Sequence, residues 1–143
     1  GAMSKALAGI KGEGLVLIAQ AHLNIGTGKL ATPPLNLPTI RDTELYGKDL
    51  FVQMCAATAK SLGVSEGAKV KLTAGGSEIT ARVALNEGVM TGVVAAPLGL
   101  GRTAWDPFTK GKGDNVSKIL AVSAEPGTGY SVWAGSAVSV AKM

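Results

Sequence analysis

Twenty of the 143 residues are glycine, about twice the usual share of roughly 7%, and many of them stand between short apolar runs. Inside a helix a glycine costs about 1 kcal/mol relative to alanine, whereas at a turn it supplies the positive φ that other residues resist. The pattern therefore favours many turns and short strands over long helices. No Gly-X-Y period is present, which excludes a collagen-like chain. With 46% hydrophobic and 17% charged residues, a chain of this length suits one compact domain. The mean hydropathy of +0.28 raises the question of a membrane span. The longest charge-free stretch, Pro126 to Ala141, is cut by Gly127, Gly129, Ser131, Gly135, Ser136 and Ser139. A spanning helix needs about 20 mostly apolar residues, so none is expected.

The opening Gly1-Ala2-Met3 reads as the scar of a removed expression tag, leaving residues 4–143 as a single domain. Met143 is expected to be the C-terminus of the parent protein. Cys55 is the one cysteine and His22 the one histidine, so no internal disulfide is expected, nor a zinc or iron-sulfur site built from this chain alone. The net charge of +4 and pI near 9.3 would point to nucleic acid only if basic residues gathered on one face. They are scattered. The densest stretch sets Arg102, Lys110, Lys112 and Lys118 against Asp106 and Asp114, with only Trp105 and Phe108 between them. That suits one phosphorylated small molecule better than stacked bases.

Along the chain, Gly14 to Ala19 is a continuous, branched apolar run and reads as a buried strand. Leu50 to Met54 is a second strand. Cys55 to Leu62 is alanine-rich, ends at Gly63 and predicts a helix of about two turns. Lys69–Thr73 and Glu78–Ala84 alternate apolar with polar residues around Gly75-Gly76, which predicts a tight hairpin. Gly92 to Ala96, Lys118 to Val122 and Ala137 to Ala141 complete about seven strands, the number and spacing of a closed β-barrel. The expected core comprises Leu15 to Ile18, Val70, Leu72, Ile79, Val83, Val93, Val94, Ile119, Leu120, Val138 and Val140. Two long polar loops, Gln20 to Pro38 and Leu98 to Asn115, each follow a buried strand and are expected to meet at one rim. Both mix hydrogen-bonding side chains with glycines that let backbone approach a ligand.

The order and spacing of several pieces resemble a known family. They are the strand leading into Gln20-Ala-His22-Leu-Asn24-Ile-Gly26, the segment Ala59 to Val70 with Gly63 and Gly67, and Gly92 to Pro97 running into Gly99-Leu-Gly101-Arg102-Thr103. Gly111-Lys-Gly113-Asp-Asn115 and the ending Pro126-Gly-Thr-Gly129 with Trp133 to Val140 complete the match. Over residues 14–141 the chain is similar to the C-terminal domain of molybdopterin oxidoreductases, and most similar to the large subunits of polysulfide-reductase-like, quinone reductase and alternative complex III respiratory complexes. The resemblance implies a mainly β fold, a double-psi β-barrel of six to seven strands with one or two short helices. It implies a domain that holds part of a molybdopterin guanine dinucleotide, with molybdenum or tungsten bound mainly by other domains. Gln20, His22 and Asn24 would form one wall of that site and Gly99, Gly101, Arg102 and Thr103 another. Asn115, after Gly113, would bond a pterin edge, since an amide matches its alternating donors and acceptors.

The implied partners are the remaining domains of a larger parent chain, together with iron-sulfur and membrane subunits of a respiratory complex. The parent would be membrane-associated on the periplasmic side or cytoplasmic, with the former favoured. Some members of such complexes keep the fold without the cofactor, so the alternative is a structural domain of a non-catalytic subunit. No oxidoreductase turnover is expected from this chain alone. His22 has no Ser, Cys or carboxylate near it in sequence that would make a catalytic arrangement. Trp105 and Trp133 read as packing residues and Asp106 as a turn former before Pro107. Gly76-Ser77 and Gly135-Ser136 match in composition the self-cleaving sites of pyruvoyl decarboxylases, which share the barrel. Their places, in a hairpin turn and at the start of the last strand, argue for ordinary structure.

Overall fold

A computed structural model describes residues 14–33, 35–104, 107–133 and 135–143. The expected tag scar, Trp105 and Asp106 lie outside the described residues. The strands are β1 (Leu15–Gln20), β2 (Leu45–Tyr46), β3 (Asp49–Met54), β4 (Lys69–Ala74), β5 (Ser77–Leu85), β6 (Val93–Pro97), β7 (Ser123–Ala124), β8 (Ser131–Val132) and β9 (Ser136–Lys142). One α-helix, α1 (Ala56–Ser61), and two short 3-10 turns, Leu37–Thr39 and Val116–Ile119, complete the described elements.

Six strands close a mixed barrel in the order β3-β5-β4-β9-β1-β6, and the circle is completed by the antiparallel pairing of Gln53 with Ala95. Two neighbouring pairs are parallel, β1 with β6 and β3 with β5. This is the double-psi barrel that the family resemblance implies. Its last strand in the chain, β9, lies between β1 and β4, two of the earlier ones.

Alternation fills the interior. Leu50, Val52 and Met54 of β3, Val70 and Leu72 of β4, and Ile79, Ala81 and Val83 of β5 are all buried, as are Leu17, Val94, Ala96 and Val138. The hairpin joining β4 to β5 turns on Gly75 and Gly76 at φ of 57° and 79°, the two consecutive positive values that a tight two-residue turn needs. Helix α1 runs from Cys55 as N-cap to Leu62 as C-cap, with Gly63 beyond at φ 65°. Thr58 anchors it: the hydroxyl lies 3.1 Å from Cys55 Sγ and accepts the Gly92 N–H at 2.9 Å. Hydrogen bonding from Thr58, aided by Thr91, holds the Cys55 thiol below the usual thiol pKa.

Two expectations are corrected. The run Leu15 to Ile18 is not buried throughout: only Leu17 is fully enclosed, and Ile18 is 42% exposed. This strand lies in a barrel wall, so its pleat sends alternate residues outward. Val93 is likewise only partly buried, whereas Leu15, Leu120 and Val140, though partly buried, pack against the core as expected. Nor is Lys118 to Val122 a strand. Asn115 Oδ1 accepts the Ser117 N–H at 3.0 Å and starts a 3-10 turn, which buries Val116 and Ile119 three residues apart. An eclipsed i, i+3 pair is what such a turn presents to a neighbour, and here the neighbours are β5 and β4.

Candidate functional site

Because β1 and β6 are parallel and paired in register up to Gln20 with Pro97, the two long loops leave the same end of the barrel. The first begins with a tight turn in which His22 and Gly26 exchange both backbone hydrogen bonds, at 2.9 and 2.7 Å. This turn drives Ile25 fully into the core. The second continues the ladder, Leu98 N–H donating to Gln20 O at 2.9 Å. It then folds back so that Arg102 pairs with Lys110 and the Gly101 N–H donates to Lys112 O at 2.8 Å.

The loops are latched to each other. A Cβ placed on Gly99 would stand 2.5 Å from Gly28 N, and one on Gly28 would stand 2.9 Å from Gly99 Cα. Gly101 presses on the Asp114–Asn115 backbone in the same manner, and Gly113 on the Leu100 side chain. Of the glycines singled out for approach to a ligand, Gly28 and Gly99 are thus required by the approach of one loop to the other, Gly101 and Gly113 by the second loop's folding on itself, and Gly26 faces open space. Arg102 adds a polar clasp, its guanidinium donating to the Gly28 carbonyl.

The polar side chains divide into two groups. Gln20, His22 and Asn24 line one depression of about 200 Å³, together with Arg41 and Glu44. His22 is buried, its Nδ1 accepts the Asn24 N–H at 3.0 Å, and its Nε2 stands 2.6 Å from Glu44 Oε2. That second contact is ion-pair close but is not aligned as a hydrogen bond. Asn24 Nδ2 donates to Thr39 O and Oγ1 at 2.9 and 2.8 Å. A second depression of about 330 Å³ shares Gln20, Arg41 and Glu44 and adds Gln53 and Asn86. Asn115 is built into the other loop as the 3-10 cap, and Thr103 is exposed. Arg41 and Glu44 escape sequence reasoning. Glu44 lies 22 residues beyond His22, in an irregular stretch with no periodicity to link the two. The one available signal was the charged cluster Arg41-Asp42-Thr43-Glu44 after Pro38.

After internal bonding, the Gln20 amide, Asn24 Oδ1, the Thr103 hydroxyl and Asn115 Nδ2 remain without protein partners among the described residues. This is a set of neutral donors and acceptors. Among the described residues, no cluster of His, Cys, Asp and Glu could hold a metal ion, and no helix is long and apolar enough to cross a membrane.

A family model described as "Molydopterin dinucleotide binding domain" matches residues 36–130. The chain is 48% identical over 128 residues to the "Menaquinone reductase, molybdopterin-binding-like subunit" of Nitratidesulfovibrio vulgaris, a match covering 90% of this chain and 18% of that protein. Among solved structures, acetylene hydratase from Pelobacter acetylenicus superposes with a TM-score of 0.67 at 17% identity, over 90% of this chain and 18% of that one. The chain therefore spans under a fifth of the length of either relative.

Proposed function

Since the chain belongs to the molydopterin dinucleotide binding domain family, we propose that its loop end holds part of a molybdopterin guanine dinucleotide inside a longer oxidoreductase chain. The observation that carries this reading is the latch: two long loops of distant sequence leave one end of the barrel and are locked together through Gly28, Gly99 and Arg102. Preorganisation of that kind lowers the ordering cost of binding. The residues fit the group in chemical type. The Gln20 and Asn115 amides can match the donor and acceptor edge of a pterin or guanine, and the guanidinium of Arg102 retains further N–H groups for a phosphate. Bound there, such a cofactor would supply redox chemistry at a metal held mainly by other domains; this chain's residues would bind and orient it. The remaining domains of the parent, and respiratory iron-sulfur and membrane subunits, are the partners this reading implies.

A second reading, a structural domain without cofactor, is favoured by one observation. The rim spends its strongest groups internally, His22 on Glu44 and Arg102 on the Gly28 carbonyl, while Gly28 and Gly99 fill each other's space. Pterin and metal analysis of the full-length protein separates the two. Gln20 is the cleanest probe because its exposed amide makes no internal bond. Gln20→Ala is expected to lower cofactor content without moving the melting temperature. Full-length protein purified with neither pterin nor metal would establish the second reading instead. Asn115→Ala is less clean, because losing the cap costs about 1 kcal/mol by itself.

A further inference from the structure

Residues 121–133 are exposed without exception, yet they include Val122, Tyr130, Val132 and Trp133. They form a separate two-stranded sheet, β7 against β8, that pairs with no other described strand. A lone hairpin is marginal in water and ordinarily needs a third strand or an apolar surface, and among the described residues both outer edges of this one offer backbone groups without a strand partner. The pleat sets Tyr130 and Val132 on one face and Trp133 on the other, so neither face is built for water. Glu125 is the only charged residue between Lys118 and Lys142. Because β9, into which this arm runs, is antiparallel to β1, the arm leaves the barrel at the end from which both long loops leave.

We propose that this arm is a docking element that seats in an apolar cleft of the remainder of a longer chain and extends one of that chain's sheets by edge pairing. Length points to the occupant. The chain spans 18% of the menaquinone reductase relative and 18% of acetylene hydratase, so in a protein of that size most of the polypeptide lies outside this domain and is available to cover the arm. A second copy suits the arm less well, because each copy carries a net charge of +4 and like charges oppose association. A bilayer suits it less well too, because the turn at its tip carries Glu125 while Val122 and Trp133 lie at its root. The proposal rests on this domain being one part of a longer chain and is independent of whether a cofactor is held.

Hydrogen exchange read by mass spectrometry over residues 121–133 tests it, in the 143-residue chain, whose barrel encloses its own core, and in the full-length protein. Exchange is expected to be close to unprotected in the former and at least about tenfold slower in the latter. The double variant Tyr130→Ser, Val132→Ser is expected to restore fast exchange in the full-length protein while leaving the melting temperature of the 143-residue chain unchanged. Equal exchange in both proteins would overturn the proposal. So would protection in the 143-residue chain that rises with its concentration, which indicates a second copy, or protection that needs vesicles of phosphatidylethanolamine and phosphatidylglycerol. A melting temperature lowered by the double variant would place the arm against its own barrel and overturn it as well. Protection in a full-length protein devoid of pterin would leave the proposal standing and end the cofactor reading alone.

Discussion

Gly101 and Gly111 share a left-handed backbone, φ 77° and 70°, but differ in their surroundings. A methyl at Gly111 would enter open space, whereas one at Gly101 would fall on the Asn115 backbone nitrogen and the Asp114 carbonyl carbon. Gly111→Ala is therefore expected to cost about 1 to 2 kcal/mol of backbone strain. Gly101→Ala, which adds a clash that no side-chain rotation relieves, is expected to cost about 3 kcal/mol or more. Equilibrium denaturant melts of the two variants check the order, and equal losses would mean the second loop does not press on its own backbone at Gly101. At this scale the glycines were legible as necessary but not as to what they face. The sequence singled out Gly99 and Gly101, and only the folded chain shows that the crowding group is its own backbone. The His22 to Glu44 contact was not legible at all, since nothing in either residue's local pattern specifies the other.

Helix α1 is a six-residue element, too short to persist alone, and Thr58 ties it to the turn before β6. Thr58→Val keeps the shape but removes the acceptor for the Gly92 N–H and the bond to Cys55 Sγ. A loss of about 1 to 2 kcal/mol is expected from the partly buried donor left unpaired, with the thiol pKa moving up. The sign follows from the depressed pKa of the folded thiol. Its contribution to stability is full above the unfolded thiol pKa and is lost as pH falls through the lower folded value. The native protein should thus gain stability on the alkaline side, and Thr58→Val should flatten that rise. Thiolate absorbance titrations and melts across alkaline pH check both parts. Elements whose cause is local were legible in advance: the β4–β5 hairpin needs only alternation and two glycines, and both are in the sequence. Residues 118–122 were not, because an apolar run looks alike in a strand and in a buried turn. The Asn115 cap and the packing of Val116 and Ile119 on β5 decide between them.

Across the whole molecule, the barrel's topology was reached through resemblance and its closure through long-range pairing that no local pattern encodes. Each of the parallel pairs joins strands far apart in sequence, and β9 lies between β1 and β4. Removing β9, by ending the chain at Gly135, would leave the edges of β1 and β4 open with Leu17, Val70 and Leu72 beside them. Open, apolar edges pair with other chains. The truncated protein is expected to elute as aggregate in size-exclusion chromatography, and a soluble monomer retaining the native circular dichroism spectrum would contradict this. The same placement has a consequence during synthesis. While the ribosome is still making residues 136–142 the domain has every other strand and no way to close, so its folding awaits the last strand's emergence from the exit tunnel. Over that interval, shielding of the β1 and β4 edges falls to whatever binds nascent chains.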